Sequence, residues 1–556
     1  MRHFTTTLCV LFSAFATTIL AHDTQNIPYA EVNALDKFTQ QGFDQVKGAK
    51  CGTVPYPSNT GTVTPDPIIT SSQVWSFVSE PHLHPMKVTV NTNKPGTSSG
   101  LIFVSPYAFS ADAIYGQPGA LILDNEGNPL WFRPLSSPNL MNTDFRVQTL
   151  YGKQVLTFWQ GTLATPPAYT NVPAGSSEPG SCYYILDNHY RVIKTISAQK
   201  DFISDIHEFR ITPNNTALLL STKAVPMDLT PYGGPKNGYV QDFAIQEIDI
   251  KTNKLTFFWS ALEHIPLADS YEPASSATSS NNIWDAYHLN SIGLTDSAND
   301  IVVSGRNTWT IYRIHKPTGN IVWQLGGKHS DFIIESGAHF SWQHDARFLP
   351  NNVISMFDDN CCESSTIPPG TPPSHGLILQ LNLTNMTANV KKSYYHDPNL
   401  QISSQGNVQS LENGNKFIGW GESQYYSEYK KAGNTEDDPA LNTIYDAQMP
   451  GNNYTYRAYR NNWIGFPCSL PSIAVKSNGD QITVYASWNG STQTITWQVF
   501  AGHCSDKLSK IKTTNKTGFE TAITVNNHGP YFQVKAVNAK GKVIGVSKIK
   551  KHHFKK

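Results

Sequence analysis

The sequence predicts an all-β chain in which a six-bladed β-propeller precedes a small β-sandwich of fibronectin type III kind. Hairpin-like segments, each with a polar turn between two β-prone runs, recur along the chain. Their turn residues Asp124, Asp187, Asp249, His315 and Asn382 lie 62 to 67 residues apart, which is room for about four strands. A second repeat interleaves with these hairpins. Aromatic residues make up 11% of the chain, and frequent Gly and Pro suit many strands joined by turns.

The second repeat has a polar head, a strand-like alternation, a turn and an apolar run. The segment His207-Glu-Phe-Arg-Ile-Thr-Pro-Asn-Asn aligns without a gap with the segment that starts at His344, and a third copy starts at His288. Two copies without His start at Phe145 and Gly406. Because the first strand of each propeller blade lines the central channel, equivalent positions in successive blades converge there. The repeats therefore predict three imidazoles around one axial site.

The domain boundaries follow from where the repeats start and stop. Residues 22–100 are polar and rich in Pro, Ser and Thr, which indicates an extended N-terminal β segment, and we expect strands over Met86–Val90 and Leu101–Val104. Residues 101–467 carry five visible blades, with a sixth supplied by Thr455–Arg460 and Trp463. Residues 468–550 alternate at period two around an Asn-Gly turn and predict the sandwich, and residues 551–556 form a basic tail.

Residues 1–21 have the pattern of a secretory signal peptide. Arg2 and His3 precede an apolar stretch from Leu8 to Leu20, and Ala21 suits cleavage before His22. No later segment approaches the about 18 consecutive apolar residues of a membrane span. We therefore expect a secreted protein.

Glycosylation and disulfides fit that compartment. Removing Cys9 with the signal leaves six cysteines, an even number that predicts disulfides, and we expect Cys361 and Cys362 to belong to two separate bridges. Six Asn-x-Ser/Thr sequons predict N-glycans at Asn214, Asn382, Asn385, Asn453, Asn489 and Asn515. Lys plus Arg and Asp plus Glu both number 42, so net charge gives no reason to expect nucleic acid or an anionic membrane as partner.

Arg306 follows the apolar run of the His288 repeat, so we expect it near the same pocket as His207, His288 and His344. Three imidazoles and a guanidinium suit a tetrahedral oxyanion such as phosphate, sulfate or a sulfuryl group in transfer, and an imidazole can also act as nucleophile. A His₃ metal site competes with this hypothesis, although a cation such as Arg306 is unfavourable beside a metal ion. Glu208 and Asp345 follow two of the histidines, and in a strand they point to the opposite face. No Gly-x-Ser-x-Gly elbow supports a serine hydrolase.

The residues resemble the arylsulfotransferases, in particular their secreted fungal-type branch. The matching motifs, between about residues 119 and 500, are Asp205-Ile-His-Glu-Phe, Gln246-Glu-Ile-Asp, His288-Leu-Asn-Ser-Ile, Ser304-Gly-Arg, Trp323-Gln-Leu-Gly-Gly, Trp342-Gln-His-Asp-Ala-Arg, Phe357-Asp-Asp-Asn, Gln405-Gly-Asn-Val-Gln and Ser487-Trp-Asn-Gly-Ser-Thr. The resemblance implies a six-bladed propeller that moves a sulfuryl group from a phenolic sulfate ester to a phenol, with no cofactor and no nucleotide sulfate donor. It also implies a transiently sulfated histidine, which by motif is His344, with His207, His288 and Arg306 holding the sulfuryl oxygens.

The N-terminal domain of the bacterial members of that family is not reproduced by residues 22–100, and the sandwich is an addition. Three functions stay open at this point. The first is a sulfotransferase acting on a small aryl sulfate and a phenol. The second is a secreted propeller that binds a ligand or a glycan without catalysis, and the third is a His₃ metalloenzyme. An assay with aryl sulfate and phenol, with and without chelator, separates them.

Overall fold

A computed structural model describes residues 72–108, 114–137, 140–163, 180–277, 283–362, 372–431, 442–478, 481–526 and 529–553. The expected signal peptide 1–21, residues 22–71 of the expected N-terminal segment and residues 554–556 of the tail lie outside the described residues. All described residues belong to one compact unit, which spans residues 43–556.

The prediction of an all-β protein is confirmed. Apart from strands, the described residues contain three short 3-10 helices, Thr230–Tyr232, Leu267–Asp269 and Ala274–Ser276. No helix in the described ranges is long and apolar enough to cross a membrane.

Strands between Thr89 and Asn461 form six sheets in the part of the chain that the structure describes. Their pairs are antiparallel, except that the two-residue strands Ile283–Trp284 and Ile333–Ile334 pair in parallel with their neighbours. The first sheet contains β2 (Leu101–Val104), β3 (Gly119–Leu123), β4 (Pro129–Pro134) and β27 (Tyr459–Asn461). The second contains β5 (Met141–Leu150), β6 (Lys153–Gly161), β7 (Cys182–Leu186) and β8 (Val192–Ile196). The third contains β9 (Ile203–Ile211), β10 (Thr216–Met227), β11 (Gly238–Asp249), β12 (Leu255–Ser260) and the short β13 (Ile283–Trp284).

The remaining three sheets follow the same pattern. The fourth contains β14 (Leu289–Leu294), β15 (Asp300–Gly305), β16 (Thr310–His315) and β17 (Asn320–Gly326). The fifth contains β18 (Ile333–Ile334), β19 (His344–Leu349), β20 (Val353–Asp358), β21 (His375–Asn382) and β22 (Thr387–Tyr394). The sixth contains β23 (Asn407–Ser410), β24 (Lys416–Gly419), β25 (Tyr425–Tyr429), β26 (Thr443–Gln448) and β1 (Thr89–Asn93).

The order of strands within each sheet explains the two sequence repeats. The hairpins with regular spacing are the third and fourth strands of successive sheets, for example β16 and β17 around His315. The continuous apolar runs are second strands: in β15 and β20 every residue is buried. A strand buried on both faces needs apolar residues throughout rather than alternation.

The first strand of each sheet contacts the first strands of the neighbouring sheets, where the first strand of the first sheet is β27 in the order β27-β2-β3-β4. Strand β5 contacts β9, β9 contacts β14, β14 contacts β19, β19 contacts β23, and β27 contacts β5. Two side-chain hydrogen bonds close the gap between β23 and β27. The Nδ2 atom of Asn407 donates to the carbonyl of Ala458 at 2.9 Å, and its Oδ1 atom accepts from the backbone N–H of Ala458 at 2.9 Å. The starts of β9, β14 and β19 therefore lie close together.

In two sheets, strands that lie far apart in sequence pair with each other. Strand β1, in the segment expected to be an N-terminal extension, pairs with β26. Its bounds, Thr89–Asn93, lie three residues beyond the strand expected over Met86–Val90. Strand β2 begins and ends as expected at Leu101–Val104 and pairs with β27.

Residues 472–551 form two further sheets. One contains β28 (Ser472–Asn478), β29 (Gln481–Ser487) and β32 (Glu520–Asn526). The other contains β30 (Thr496–Cys504), β31 (Lys507–Asn515), β33 (Tyr531–Val537), β34 (Val543–Val546) and β35 (Lys550–Lys551). The buried core between them includes Trp497, Ile523 and Phe532. The loop after β29 packs on β4, where the Asn489 amide bonds both to the N–H and to the carbonyl of Phe132 at 2.9 Å.

Candidate active site

Three imidazoles meet where the first strands of the third, fourth and fifth sheets begin. His207 lies in β9, His288 immediately precedes β14, and His344 is the first residue of β19. One ring nitrogen from each of the three imidazoles lies within 4.8 Å of the other two, and the ring centroids of His207 and His288 are 4.8 Å apart. His344 is almost fully buried, whereas His288 keeps a quarter of its side chain exposed.

Each imidazole is oriented by an aspartate through its Nδ1 atom. The pairs are His207 with Asp205 Oδ1 at 2.5 Å, His288 with Asp285 Oδ2 at 2.5 Å, and His344 with Asp359 Oδ2 at 2.7 Å. A carboxylate on one ring nitrogen fixes the tautomer and the ring plane, and it leaves the other nitrogen to act in the site. The sequence motifs contained Asp205 and Asp359, but neither was assigned as an orienting partner.

His344 has the features of a neutral imidazole with a free electron pair on Nε2. The backbone N–H of Gln405 donates to Nε2 at 3.2 Å, so Nε2 carries no proton and Nδ1 donates to Asp359. Burial holds the pKa of His344 well below its usual value, and the nearby charges of Arg306 and His207 lower it further. At neutral pH His344 is therefore uncharged.

His288 shares part of this environment. Burial lowers its pKa, Asp285 opposes that shift, and His207 and Arg306 add to it. Burial raises the pKa of Asp359, and Arg306 opposes the change. The charge of Arg306 thus acts to lower the pKa of both His344 and Asp359.

Arg306 follows β15 and is held on three sides. Its Nη1 donates to Asn307 Oδ1 at 3.0 Å, its Nη2 donates to the carbonyl of Ser403 at 3.0 Å, and its guanidinium lies 4.7 Å from the ring centroid of Trp342. Its Nε is buried and has no hydrogen-bond partner among the described residues. Ser403 and Gln405 are two residues apart, so one short segment contacts both Arg306 and His344.

Tyr456 belongs to the same cluster and was not identified from the sequence. Its ring lies 5.6 Å from that of His207 and 6.5 Å from that of His344. Its hydroxyl is buried without a partner in the described ranges, and burial raises its pKa well above the usual value. The residue therefore offers a protonated hydroxyl as a donor. The signal available in the sequence was its place in Thr455–Arg460, the segment assigned to a sixth blade.

An aromatic wall adjoins Arg306. Tyr271 stacks on Trp309 with centroids 3.6 Å apart, and Trp309 contacts Trp342 at 5.5 Å. Tyr271 comes from the segment between β12 and β13, of which residues 278–282 lie outside the described ranges. An aromatic surface beside a guanidinium suits an aromatic molecule that carries an anionic group.

The expectation of separate bridges for Cys361 and Cys362 is wrong, because the structure joins them to each other. Both sulfur atoms contact the carbonyl of Ser403, at 3.1 and 3.0 Å, and Cys362 Sγ lies 3.7 Å from Arg306 Nη2. The disulfide closes a small ring between neighbouring residues, so neither Cys361 nor Cys362 bonds to a cysteine elsewhere in the chain. Cys468 is also disulfide-bonded, while Cys182 and Cys504 are free.

Glu208 and Asp345 lie behind the imidazoles and bind arginines. Glu208 contacts Arg146 Nη2 at 2.5 Å and Arg347 Nη2 at 2.7 Å, and Asp345 contacts the same Arg347 nitrogen at 2.5 Å. Burial alone would raise the pKa of Glu208, but Arg347, Arg457 and Arg146 outweigh it and hold that pKa well below its usual range. Both carboxylates are therefore occupied as ion-pair partners.

Among the described residues, the three histidines are the group whose spacing could admit a metal ion. Zinc holds His nitrogens at about 2.0–2.1 Å. A metal would add positive charge to a site that already contains the buried Arg306, and that repulsion opposes a metal unless an anion binds as well. An oxyanion is instead attracted by the charge of Arg306.

Comparison with known proteins agrees with this chemistry. The family model described as arylsulfotransferase (ASST) matches residues 146–436, more than half of the chain. This range contains all three histidines and Arg306. No curated protein matches the sequence.

Several solved structures are similar to the chain at low identity. A protein of unknown function from Bacteroides caccae is 12% identical with a TM-score of 0.37, and the match covers 66% of this chain and 100% of that one. An exo-β-1,3-galactanase from Phanerochaete chrysosporium is 9% identical with a TM-score of 0.29, over 78% and 94% of the two chains. The β-propeller domain of Cps50 (Swd1) from Myceliophteria thermophila is 9% identical with a TM-score of 0.24, over 63% and 88%. It is the family model that identifies the protein: this chain belongs to the arylsulfotransferase family.

Proposed function

We propose that the chain is a secreted arylsulfotransferase that moves a sulfuryl group from a phenolic sulfate ester to a phenol through a sulfated His344. The observation that carries the proposal is the buried, neutral His344, whose Nε2 lone pair lies beside Arg306 and two further imidazoles. Attack on sulfur requires an unprotonated nitrogen, and the low pKa of His344 maintains one.

The first half-reaction transfers the sulfuryl group to the enzyme. The sulfur displaces the Gln405 N–H from Nε2, the N–S bond forms, and the bond from sulfur to the phenolic oxygen breaks with its electron pair on the phenolate. Arg306 donates to the sulfuryl oxygens, where negative charge must be met by fixed donors. His207 and His288 hold these oxygens in the same way when their Nε2 atoms carry a proton, because each Nδ1 is already bonded to an aspartate. Asp359 stabilises the proton that remains on Nδ1.

The departing phenolate takes a proton from a neighbouring imidazole. Burial lowers the pKa of His288 and so opposes its protonation, and we therefore assign the role of acid to His207, whose Nδ1 is bonded to Asp205. The second half-reaction reverses these steps. His207 accepts the proton of the incoming phenol, its oxygen attacks sulfur, the N–S bond breaks, and neutral His344 returns.

The surroundings support an aromatic substrate class. The wall formed by Tyr271, Trp309 and Trp342 adjoins Arg306, so an aryl ring can pack there while its sulfate faces the guanidinium. We also infer that the six sheets between Thr89 and Asn461 are the blades of a propeller, because their first strands contact one another in order and the last gap is closed by Asn407. The three- and five-stranded sheets of residues 472–551 support a fibronectin-like sandwich.

The test is a short pulse of the purified full chain with 4-nitrophenyl sulfate and no acceptor, followed by intact-mass analysis and peptide mapping. We expect the mass of one sulfuryl group on His344, transfer upon addition of phenol, and neither event in His344→Ala. The exposed His329→Ala is the matched control and should behave as the parent. Chelator should change nothing. Loss of turnover with chelator would support the metalloenzyme instead, and ligand binding without any adduct or turnover would support the non-catalytic propeller.

A further inference from the structure

A second cavity, of about 270 Å³, lies beyond the layer of ion pairs behind the histidines. Its polar lining includes three arginines, Arg146, Arg210 and Arg347, the neutral groups of Ser355 and Asn461, and one carboxylate, Asp345, which is bonded to Arg347. Arg210 and Arg347 come three residues after His207 and His344 on β9 and β19. At about 3.3 Å per residue, the arginines lie about 10 Å along these strands from the imidazoles.

The layer between the two sites separates them chemically. Glu208 and Asp345 bond to Arg347, and Arg457, which is fully buried, bonds to Asp144 at 3.0 Å and to Glu208 at 3.3 Å. The cavity therefore belongs to a different environment from the one that contains His344.

The charges around the cavity do not balance. Four guanidinium groups, on Arg146, Arg210, Arg347 and Arg457, face three carboxylates, on Asp144, Glu208 and Asp345. Arg146, Arg347 and Arg457 are all ion-paired, whereas no described residue bonds to the half-buried Arg210. Burial and the neighbouring Arg347 and Arg146 lower the pKa of Arg210 to about 10. The four guanidinium groups thus carry one positive charge more than the three carboxylates, and Glu208 and Asp345 attract the Arg210 side chain without bonding to it directly.

Three donors on the lining are also unsatisfied. Ser355 Oγ, Arg146 Nε and Asn461 Nδ2 are buried and have no hydrogen-bond partner among the described residues. Ser355 is fully buried and lies opposite Arg347 in the β19–β20 ladder. Buried polar groups in folded proteins nearly always have partners, so several orphaned donors around one cationic cavity indicate a missing acceptor.

We propose that this cavity binds a small oxyanion, a carboxylate, sulfate or phosphate group, through Arg146, Arg210 and Arg347. The guanidinium fork suits two oxygens of such a group, and the volume admits the group with a small organic body. The site is separate from the proposed sulfuryl transfer and does not depend on it.

The test measures anion binding by isothermal titration calorimetry on the full chain at constant ionic strength, with sulfate, phosphate and citrate against chloride. Arg210→Gln should weaken this binding at least tenfold. Because sulfate can also enter the histidine site, the same titrations on Arg306→Gln should retain the Arg210-dependent binding. Tighter binding of sulfate or phosphate would indicate a tetrahedral ligand, and tighter binding of citrate would indicate a carboxylate ligand.

The matched control is Arg191→Gln, which removes a paired arginine far from the cavity in sequence and should bind like the parent. Arg210 bonds to no described residue, so Arg210→Gln should keep the parent melting temperature in chloride. Equal binding by the parent and Arg210→Gln, or no anion binding beyond chloride, would overturn the proposal.

Discussion

The Nδ1 atom of His344 lies 2.7 Å from Oδ2 of Asp359. This contact crosses a β-hairpin, because His344 opens β19 and Asp359 immediately follows β20. Together with the Gln405 N–H on Nε2, it fixes which nitrogen carries the proton and which carries the lone pair. The reactivity of His344 therefore depends on a residue that would not touch the substrate.

Asp359→Asn should lower kcat by about 10²–10⁴ with little change in KM. An amide can donate to Nδ1, which favours the tautomer with its proton on Nε2, and comparable carboxylate-to-amide changes have effects of about this size. Steady-state kinetics with 4-nitrophenyl sulfate and phenol measure the split between kcat and KM. The exposed Asp201→Asn serves as control. An unchanged kcat in Asp359→Asn would show that the carboxylate does not set the tautomer.

The acid limb of kcat/KM should lie below pH 6.5, the usual pKa of histidine. Burial first, and then Arg306, lower the pKa of His344, so the neutral, reactive form persists as pH falls. In Arg306→Gln the limb should move to higher pH, since the charge is gone, but it should stay below the usual value because burial remains. The variant should also lose about 10²–10³ in rate, the typical cost of one charge-stabilising donor.

The measurement is kcat/KM for the aryl sulfate across the pH range of stable enzyme, with Arg191→Gln as a matched arginine variant. A limb above pH 6.5 in the parent, or one that does not move in Arg306→Gln, would contradict this account of His344.

Local patterns made part of the architecture predictable. A hairpin is a contact between neighbours in sequence, so the turn at His315 could be read directly and it joins β16 to β17. The convergence of His207, His288 and His344 follows from matched positions in repeats, since each repeat places its histidine in a first strand or directly before one. Their chemical roles remain predictions.

Contacts between distant segments were not predictable in this way. Tyr456 reaches His207 from nearly 250 positions later in the chain, and β1 pairs with β26 across more than 350 positions. Neither contact repeats, so periodicity carries no signal for it. The bridge between Cys361 and Cys362 was missed for another reason: spacing does not choose among the 15 complete pairings of six cysteines, and the structure pairs these neighbours while Cys182 and Cys504 stay free.

The proposed secretory route gives a prediction that separates the six sequons. Asn453 and Asn489 are buried, and both use their side-chain nitrogen as a hydrogen-bond donor: Asn453 to the carbonyl of Tyr115 at 2.9 Å and Asn489 to that of Phe132 at 2.9 Å. A glycan attaches to this nitrogen and needs solvent around it. By contrast, the sequon asparagines at four positions are exposed: Asn214, Asn382, Asn385 and Asn515.

Glycopeptide mapping of the chain expressed through a eukaryotic secretory pathway should therefore find glycans only among those four positions. Asn214→Gln should remove a glycan and leave the melting temperature unchanged, because Asn214 is exposed. Asn489→Gln should remove none and lower the melting temperature, because it disrupts two buried hydrogen bonds, each worth about 0.5–1.5 kcal/mol. A glycan on Asn489 in folded, secreted protein would mean that the loop after β29 does not pack on β4 as described.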